Sequence, residues 1–517
     1  MKKILIFFAA IYSTEINANG VTIANVVAAS TTTVSFDIAW NNSWNAAAPS
    51  NNWDAVWVFI KTQVCVTGSS PWSHALVATS TPGNHIINSG GGGLLQIDAV
   101  TDGMGVFIRR SGIGSGNIAT ANITLKLQST YTIASTNYEV IGIEMVNVPQ
   151  GTFNIGDGST LSTQSFGDWG TGNTTLPYSI STEASIGGDA IRNDNTGSSG
   201  LGCCISAHNA IPAGFPKGFN AFYCMKYEIS QQQYVTFLNL LDYNQQITRT
   251  AVTPNSAVGT LAMTTAGNEN RNFIKISTAG TPFSTPAIYG YDLNSNGTLN
   301  EAADGSDVAC NYLSWGDLTA YLDWSGLRPM SELEFEKAAR GALSSSVLIE
   351  FPWGTTTINQ AISNALTNAG QTSEISTSSL DGLCCYNAGA SSSLGPLRDG
   401  FAATATSTRT GAGASFYGIL DLGGNLWEQC MMAGYYTSAT GRMSSPTFIG
   451  TALGDGALDG AGNSNPVTWS GGAPVSIVRG GNWEYASQKV QTSDRSYAAI
   501  TTENATRVRR TGGRGVR

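Results

Sequence analysis

Leu327-Arg328-Pro329-Met330-Ser331-Glu332-Leu333-Glu334-Phe335-Glu336-Lys337-Ala338-Ala339-Arg340-Gly341 is the stretch from which the rest of the chain can be read. Ser331 and Glu334 have the Ser-x-x-Glu spacing of a capping box, in which each side chain accepts a hydrogen bond from the other residue's otherwise orphaned backbone N–H. Gly341 follows Arg340 as the residue that tolerates a left-handed stop, so the pattern predicts a helix over 331–341. Two more helices are predicted upstream. One starts at Ser230 and carries Tyr234, Phe237, Leu238 and Leu241 on one face at i, i+3, i+4, i+7 spacing. The other starts at Ser314 as N-cap, places Trp315, Leu318, Tyr321 and Leu322 on one side, and ends at Gly326.

Moving outward, the helices belong to a region from Tyr138 onward in which short strands alternate with helical patterns. Residues 20–135 read differently. Thr33-Val34-Ser35-Phe36-Asp37-Ile38, Val56-Trp57-Val58-Phe59-Ile60, Val106-Phe107-Ile108 and Ile123-Thr124-Leu125-Lys126-Leu127 are alternating or β-branched runs separated by Gly, Asn, Ser and Pro clusters, the pattern of an all-β sandwich. Gly/Ser/Thr/Asn tracts over 155–202 and 250–285 predict large loops. The expected organisation is therefore a leader over 1–19, a β-sandwich domain over 20–135 and an α+β domain over 138–517.

The chain has 517 residues, 41% hydrophobic and 12% charged, with a net charge of −9, which excludes charge-driven disorder and broad attraction to nucleic acid. Lys2 and Lys3 precede the apolar run Ile4 to Ile11 and small residues around Ala18 and Gly20, the layout of a secretory signal. That run is far shorter than the ~20 residues of a membrane span, so a secreted or cell-surface protein without a membrane span is expected. Eight cysteines in an exported chain allow disulfides. Cys203-Cys204 and Cys384-Cys385 are adjacent rather than zinc-spaced, and His74, His85 and His208 are scattered. Gly-x-Ser-x-Gly, phosphate-loop and His-Glu-x2-His motifs are absent.

A series of motifs follows in order: Met145-Val146-Asn147-Val148-Pro149-Gln150-Gly151-Thr152-Phe153; Tyr223 to Tyr234 (YCMKYEISQQQY); Asn311-Tyr312-Leu313-Ser314-Trp315; Leu327 to Gly341; Phe351-Pro352-Trp353-Gly354; Tyr417 to Glu428 (YGILDLGGNLWE); and Val478-Arg479-Gly480-Gly481-Asn482-Trp483. The ordered set resembles the formylglycine-generating-enzyme-like (sulfatase-modifying factor) family, which implies a fold similar to C-type lectins with large loops.

The resemblance also implies calcium. One family loop matches Asp421 to Glu428, where the carboxylates of Asp421 and Glu428 would join the carbonyls of Gly424 and Leu426; a second set is similar to Asn368, the carbonyl of Ala369, Asp399 and the carbonyl of Phe401. Such mixtures supply the six to eight oxygens that calcium takes. Separately, Asp292, Asn294 and Asn296 occupy positions 1, 3 and 5 of an EF-hand-type loop whose position 12 is Ala303 instead of Glu, so this loop reads either as a weaker calcium site or as an Asx-rich turn.

Catalysis in the family uses two cysteines, five positions apart, that hold copper(I) as thiolates. Counted back from Arg495, the matching positions here are Ser487 and Thr492, and hydroxyls are poor ligands for a soft ion. The expectation is a noncatalytic recognition or structural module that binds an extracellular glycan, a protein or itself; the alternative is a metal-dependent oxidase with altered ligands. Trp483, Tyr485, Tyr497, Arg507 and Arg509 in the Arg-rich stretch 479–517 are the candidate ligand-binding residues, with framework pairing and core packing as the other reading. Some lectin-fold members of the family diversify their C-terminal segment, which here is Gly512-Gly513-Arg514-Gly515-Val516-Arg517.

Overall fold

The computed structural model describes residues 16–18, 20–65, 70–158, 165–168, 176–187, 190–193, 210–342, 348–391, 393–404, 406–433, 436–437, 442–443, 452–469, 476–497, 503 and 505–517. Most of the expected leader, Cys203, Cys204 and His208 lie outside these residues.

Five strands, in the order Ile16–Ala18, Val21–Ser30, Thr33–Asn45, Gly114–Lys126, Ile86–Gly90, form one antiparallel sheet. Alternation in Thr33–Asn45 puts Val34, Phe36, Ile38 and Trp40 on one buried face. They share a core cluster with Val56, Val58 and Ile60 of Asp54–Val64 and with Val106 and Ile108 of Val106–Arg110. Those strands belong to a second sheet of eight, ordered Arg328–Pro329, Gly515–Val516, Phe222–Met225, Thr136–Val148, Asp54–Val64, Val106–Arg110, Leu95–Ala99, with Ser73–Ala75 paired to Asp54–Val64.

Asp54–Val64 is buried on both faces, which is why it reads as an unbroken apolar run. Its other set, Trp57 and Phe59, faces the helices: Phe59 meets Trp324 edge-on at 5.4 Å, and Trp324 meets Phe237 at 5.3 Å. The four helices among the described residues are α1 (Gln231–Asn239), α2 (Tyr243–Arg249), α3 (Trp315–Trp324) and α4 (Glu332–Arg340). Each opens with a reciprocal capping box, at Ser230, Asp242, Ser314 and Ser331 respectively. With many strands and four helices the architecture is α+β. None of these helices is long and apolar enough to cross a membrane.

Two features position the site. Thr136–Val148 pairs with Asp54–Val64 on one side and Phe222–Met225 on the other, so the larger sheet runs unbroken across the expected boundary near 135–138. Gly515–Val516 lies between Phe222–Met225 and Arg328–Pro329, which makes the end of the chain a buried strand instead of a loop.

Candidate functional site

The loop 421–428 takes left-handed backbone at Asp421, Gly424 and Asn425, with φ of 54°, 80° and 57°. Gly424 is required, because a Cβ there would stand 2.3 Å from Cys384 Sγ. Asn425 Nδ2 and the Leu426 N–H donate to Glu228, the latter at 2.9 Å, and the Gly400 N–H donates to Asp421 Oδ2 at 2.5 Å. These contacts bring Glu228, Asp399 and Asp421 together, with one ligating oxygen from each within 4.8 Å of the others.

All three carboxylates are buried. Burial, and then the neighbouring Glu428, Asp399 and Asp421, push the Glu228 carboxyl well above its ordinary range. Burial also raises Asp421 and Glu428, against the opposing Gly400 N–H and Arg514 respectively. Arg514 engages this group of four acids directly, its Nε 2.5 Å from Glu428 Oε1, while Glu428 Oε2 has no hydrogen-bond partner, and Arg398 lies close enough to oppose the rise of Asp421. Hard oxygen donors and clustered negative charge suit a divalent cation such as calcium, which Glu228, Asp399 and Asp421 would hold.

The placement differs from expectation in its grouping. Asp421 and Asp399, assigned to separate sites, share one. Glu428 is turned to Arg514, and Glu228 stands with the aspartates instead. Asn368 and Ala369 are exposed, with Asn368 Nδ2 donating to Ser373 Oγ at 3.1 Å, and Phe401 is buried with its N–H on the Arg398 carbonyl at 3.0 Å. Asp292 is paired with Lys275 at 2.8 Å, while Asn294 and Asn296 accept the N–H groups of Asn296 and Thr298, the hydrogen bonds of an Asx-rich turn. Sequence reasoning missed Glu228. Its one signal is an acid just ahead of the Ser230 cap in the quoted motif; its contact with Asn425 spans 197 residues.

The candidate ligand-binding surface requires correction. Trp483 is fully buried and donates its indole N–H to the Arg509 carbonyl at 3.1 Å, so it has no free face. Arg507 bonds Asp317 and the carbonyls of Thr248 and Thr250; Arg509 pairs with Glu484, and Arg510 with Glu484 and Glu503. Tyr485 and Tyr497 pack in edge-on and tilted contacts with Trp427, their ring centroids 5.4 Å from each other. Each of these arginines is paired with a carboxylate of the fold, Arg509 at a partly exposed position.

Of the two positions expected from the resemblance to replace the family's thiols, Ser487 opens a 3-10 turn (Ser487–Val490) and Thr492 is fully buried, its N–H on the Glu350 carbonyl and its carbonyl accepting from Arg479. The described cysteines are free thiols; Cys65 is exposed and the other five are buried. Cys310 and Cys430 belong to different core clusters. Burial pushes the thiols of Cys310, Cys384 and Cys430 well up and Cys224 up to about 12, which disfavours the thiolate form. His74 and His85 bond the carbonyls of Met104 and Ala78.

A family model described as "Sulfatase-modifying factor enzyme 1-like domain" matches residues 194–517. A protein of Thermomonospora curvata named formylglycine-generating enzyme is 30% identical over 119 residues, which is 23% of this chain and 31% of that relative. The matched segment thus spans about a third of the relative's length.

Proposed function

Because the chain belongs to the sulfatase-modifying factor enzyme 1-like domain family, we propose that it is a secreted or cell-surface member that recognises a ligand without performing the family's chemistry. What supports this reading is Ser487 and Thr492 at the positions that the resemblance matches to the family's thiol pair, with the Thr492 N–H bonded to the Glu350 carbonyl. Hydroxyls neither hold copper(I) well nor undergo thiol redox chemistry. In this reading the α+β domain has the C-type-lectin-like arrangement, the sheets of residues 20–135 form a sandwich against it, and calcium at Glu228, Asp399 and Asp421 braces the loops.

Metal analysis of the purified full chain tests this. Calcium is expected near one ion per chain; chelation should lower the melting temperature, calcium should restore it, and Glu228→Gln should weaken that response at least about tenfold in calcium concentration. Stoichiometric copper or iron accompanied by oxygen consumption would overturn the noncatalytic reading.

A further inference from the structure

A cleft of about 680 Å³ opens between the five-stranded sheet and the loop that carries Gly400. Asn41, Asn42 and Trp44 line it from one side, Tyr227 and Arg398 from the other, and Lys226 and Asp307 lie in its depth. It is distinct from the Arg-rich C-terminal stretch considered above.

The charged groups in the cleft restrict what it can hold. Lys226 pairs with Glu144 at 2.8 Å, and its ammonium sits 5.1 Å from the Trp44 ring centroid and 5.2 Å from that of Tyr227. The aromatic seat for a cation is therefore already filled. Arg398 directs Nε, Nη1 and Nη2 to the carbonyls of Glu374, Asp399 and Gly400, which leaves an anion little to bind. What remains is hydrogen-bonding capacity without net charge. Glu144, paired with Lys226, is buried behind the lining residue Gly20 and does not itself line the cleft. Asp307 is a buried residue of the cleft lining, and the Asn41 and Asn42 amides are exposed at the rim. Trp44 is half-buried, and the Gly418 backbone packs against its indole, where a Cβ would come within 3.0 Å.

We propose that this cleft binds a neutral sugar, the terminal pyranose of an oligosaccharide, whose hydroxyls are met by Asp307 and the rim amides and whose C–H face lies against the exposed part of Trp44. Such a ligand combines an apolar face with many hydroxyls, as the lining does. The proposal rests on the reading of the chain as a binding module, and names its site and ligand class.

Calorimetric titration of the full chain, with calcium present, against oligomers of glucose, mannose, galactose and N-acetylglucosamine provides the test. One series is expected to bind with a dissociation constant below about 1 mM. Trp44→Ala and Asp307→Asn should each weaken it about tenfold or more, while Phe283→Ala, an exposed aromatic elsewhere, should leave it unchanged. Should Trp44→Ala fail to fold, Thr372→Trp decides: it places a bulky ring at an exposed position of the cleft wall and should abolish binding. No binding by any series, or equal binding in the folded variants, overturns the proposal. Neither result touches the noncatalytic reading, which stands or falls on copper, iron and oxygen consumption.

Discussion

Glu139 stands on Thr136–Val148 directly opposite Lys61, yet the lysine ammonium turns to the carbonyls of Trp324 and Gly456 at 2.6 and 2.7 Å. Without a cationic partner, burial alone pushes the Glu139 carboxyl up to about 7. The folded chain therefore holds a proton that the unfolded chain releases near its ordinary carboxylate range. The stability linked to this proton is fully present at low pH and is lost as pH rises toward about 7. In chelator, Glu139→Gln is expected to be more stable than the parent at pH 8, by a few kcal/mol at most, and to unfold in urea with a flatter dependence between about pH 5 and 7. Parallel pH curves for the two proteins would show that the carboxyl ionises normally in the fold. Lys61 and Glu139 illustrate what single positions conceal. Each reads in the sequence as an ordinary charged residue of a strand, and only the packing of α3 above the sheet decides that one is buried among carbonyls and the other is left alone.

The charged face of α4 behaves differently, because its acids are matched. Glu332, Glu336 and Arg340 are successive i, i+4 residues and all are fully buried. Arg479 bonds Glu332 at 2.9 Å and Glu336 at 2.6 Å, Arg495 bonds Glu332 at 2.6 Å, and Arg340 joins Glu336 at 2.8 Å and also Glu350. Three acids and three guanidiniums thus fix the C-terminal loops to one helix. Deleting one member of such a set leaves an uncompensated buried charge, so Glu332→Ala should cost about 3–5 kcal/mol in urea unfolding, with little change in far-ultraviolet circular dichroism. A loss below about 1 kcal/mol would mean that the network contributes shape without stability. The helix itself was legible. Ser331, Glu334 and Gly341 act on backbone groups within a few residues, and the same holds for α1 and α3. Its partners were not legible, because Arg479 lies 147 residues from Glu332. Helix α2 was missed for a different reason. Asp242 and Gln245 carry a capping pair, but the helix has only seven residues and no apolar stripe to announce it.

At the scale of the molecule, the change of texture at Tyr138 marks a change in local pattern, while backbone hydrogen bonds carry no residue signature at all. Thr136–Val148 pairs with Asp54–Val64 from Thr136–Val64 through to Val146–Asp54, and residues far apart in sequence seal the joint. Gly142 has no room for a Cβ, which would come 2.9 Å from Ile23 and 3.0 Å from Val56. Lys61 reaches the Gly456 carbonyl, and the terminal Arg517 stacks over Trp57 at 4.2 Å and pairs with Asp102 at 2.5 Å. A chain that begins at residue 138 would keep the family motifs but lose the partner of its longest strand. It would expose an edge of unpaired N–H and C=O groups and the small and apolar residues Val140, Gly142 and Val146 that the five-stranded sheet and Asp54–Val64 adjoin. Residues 138–517 expressed alone are therefore expected to aggregate, or to elute from size exclusion well above monomer size. Co-expression with residues 20–135 as a separate chain should restore a complex of the intact protein's size. A soluble, monomeric 138–517 fragment that melts at the temperature of the full chain would show instead that the two parts fold independently and merely adjoin.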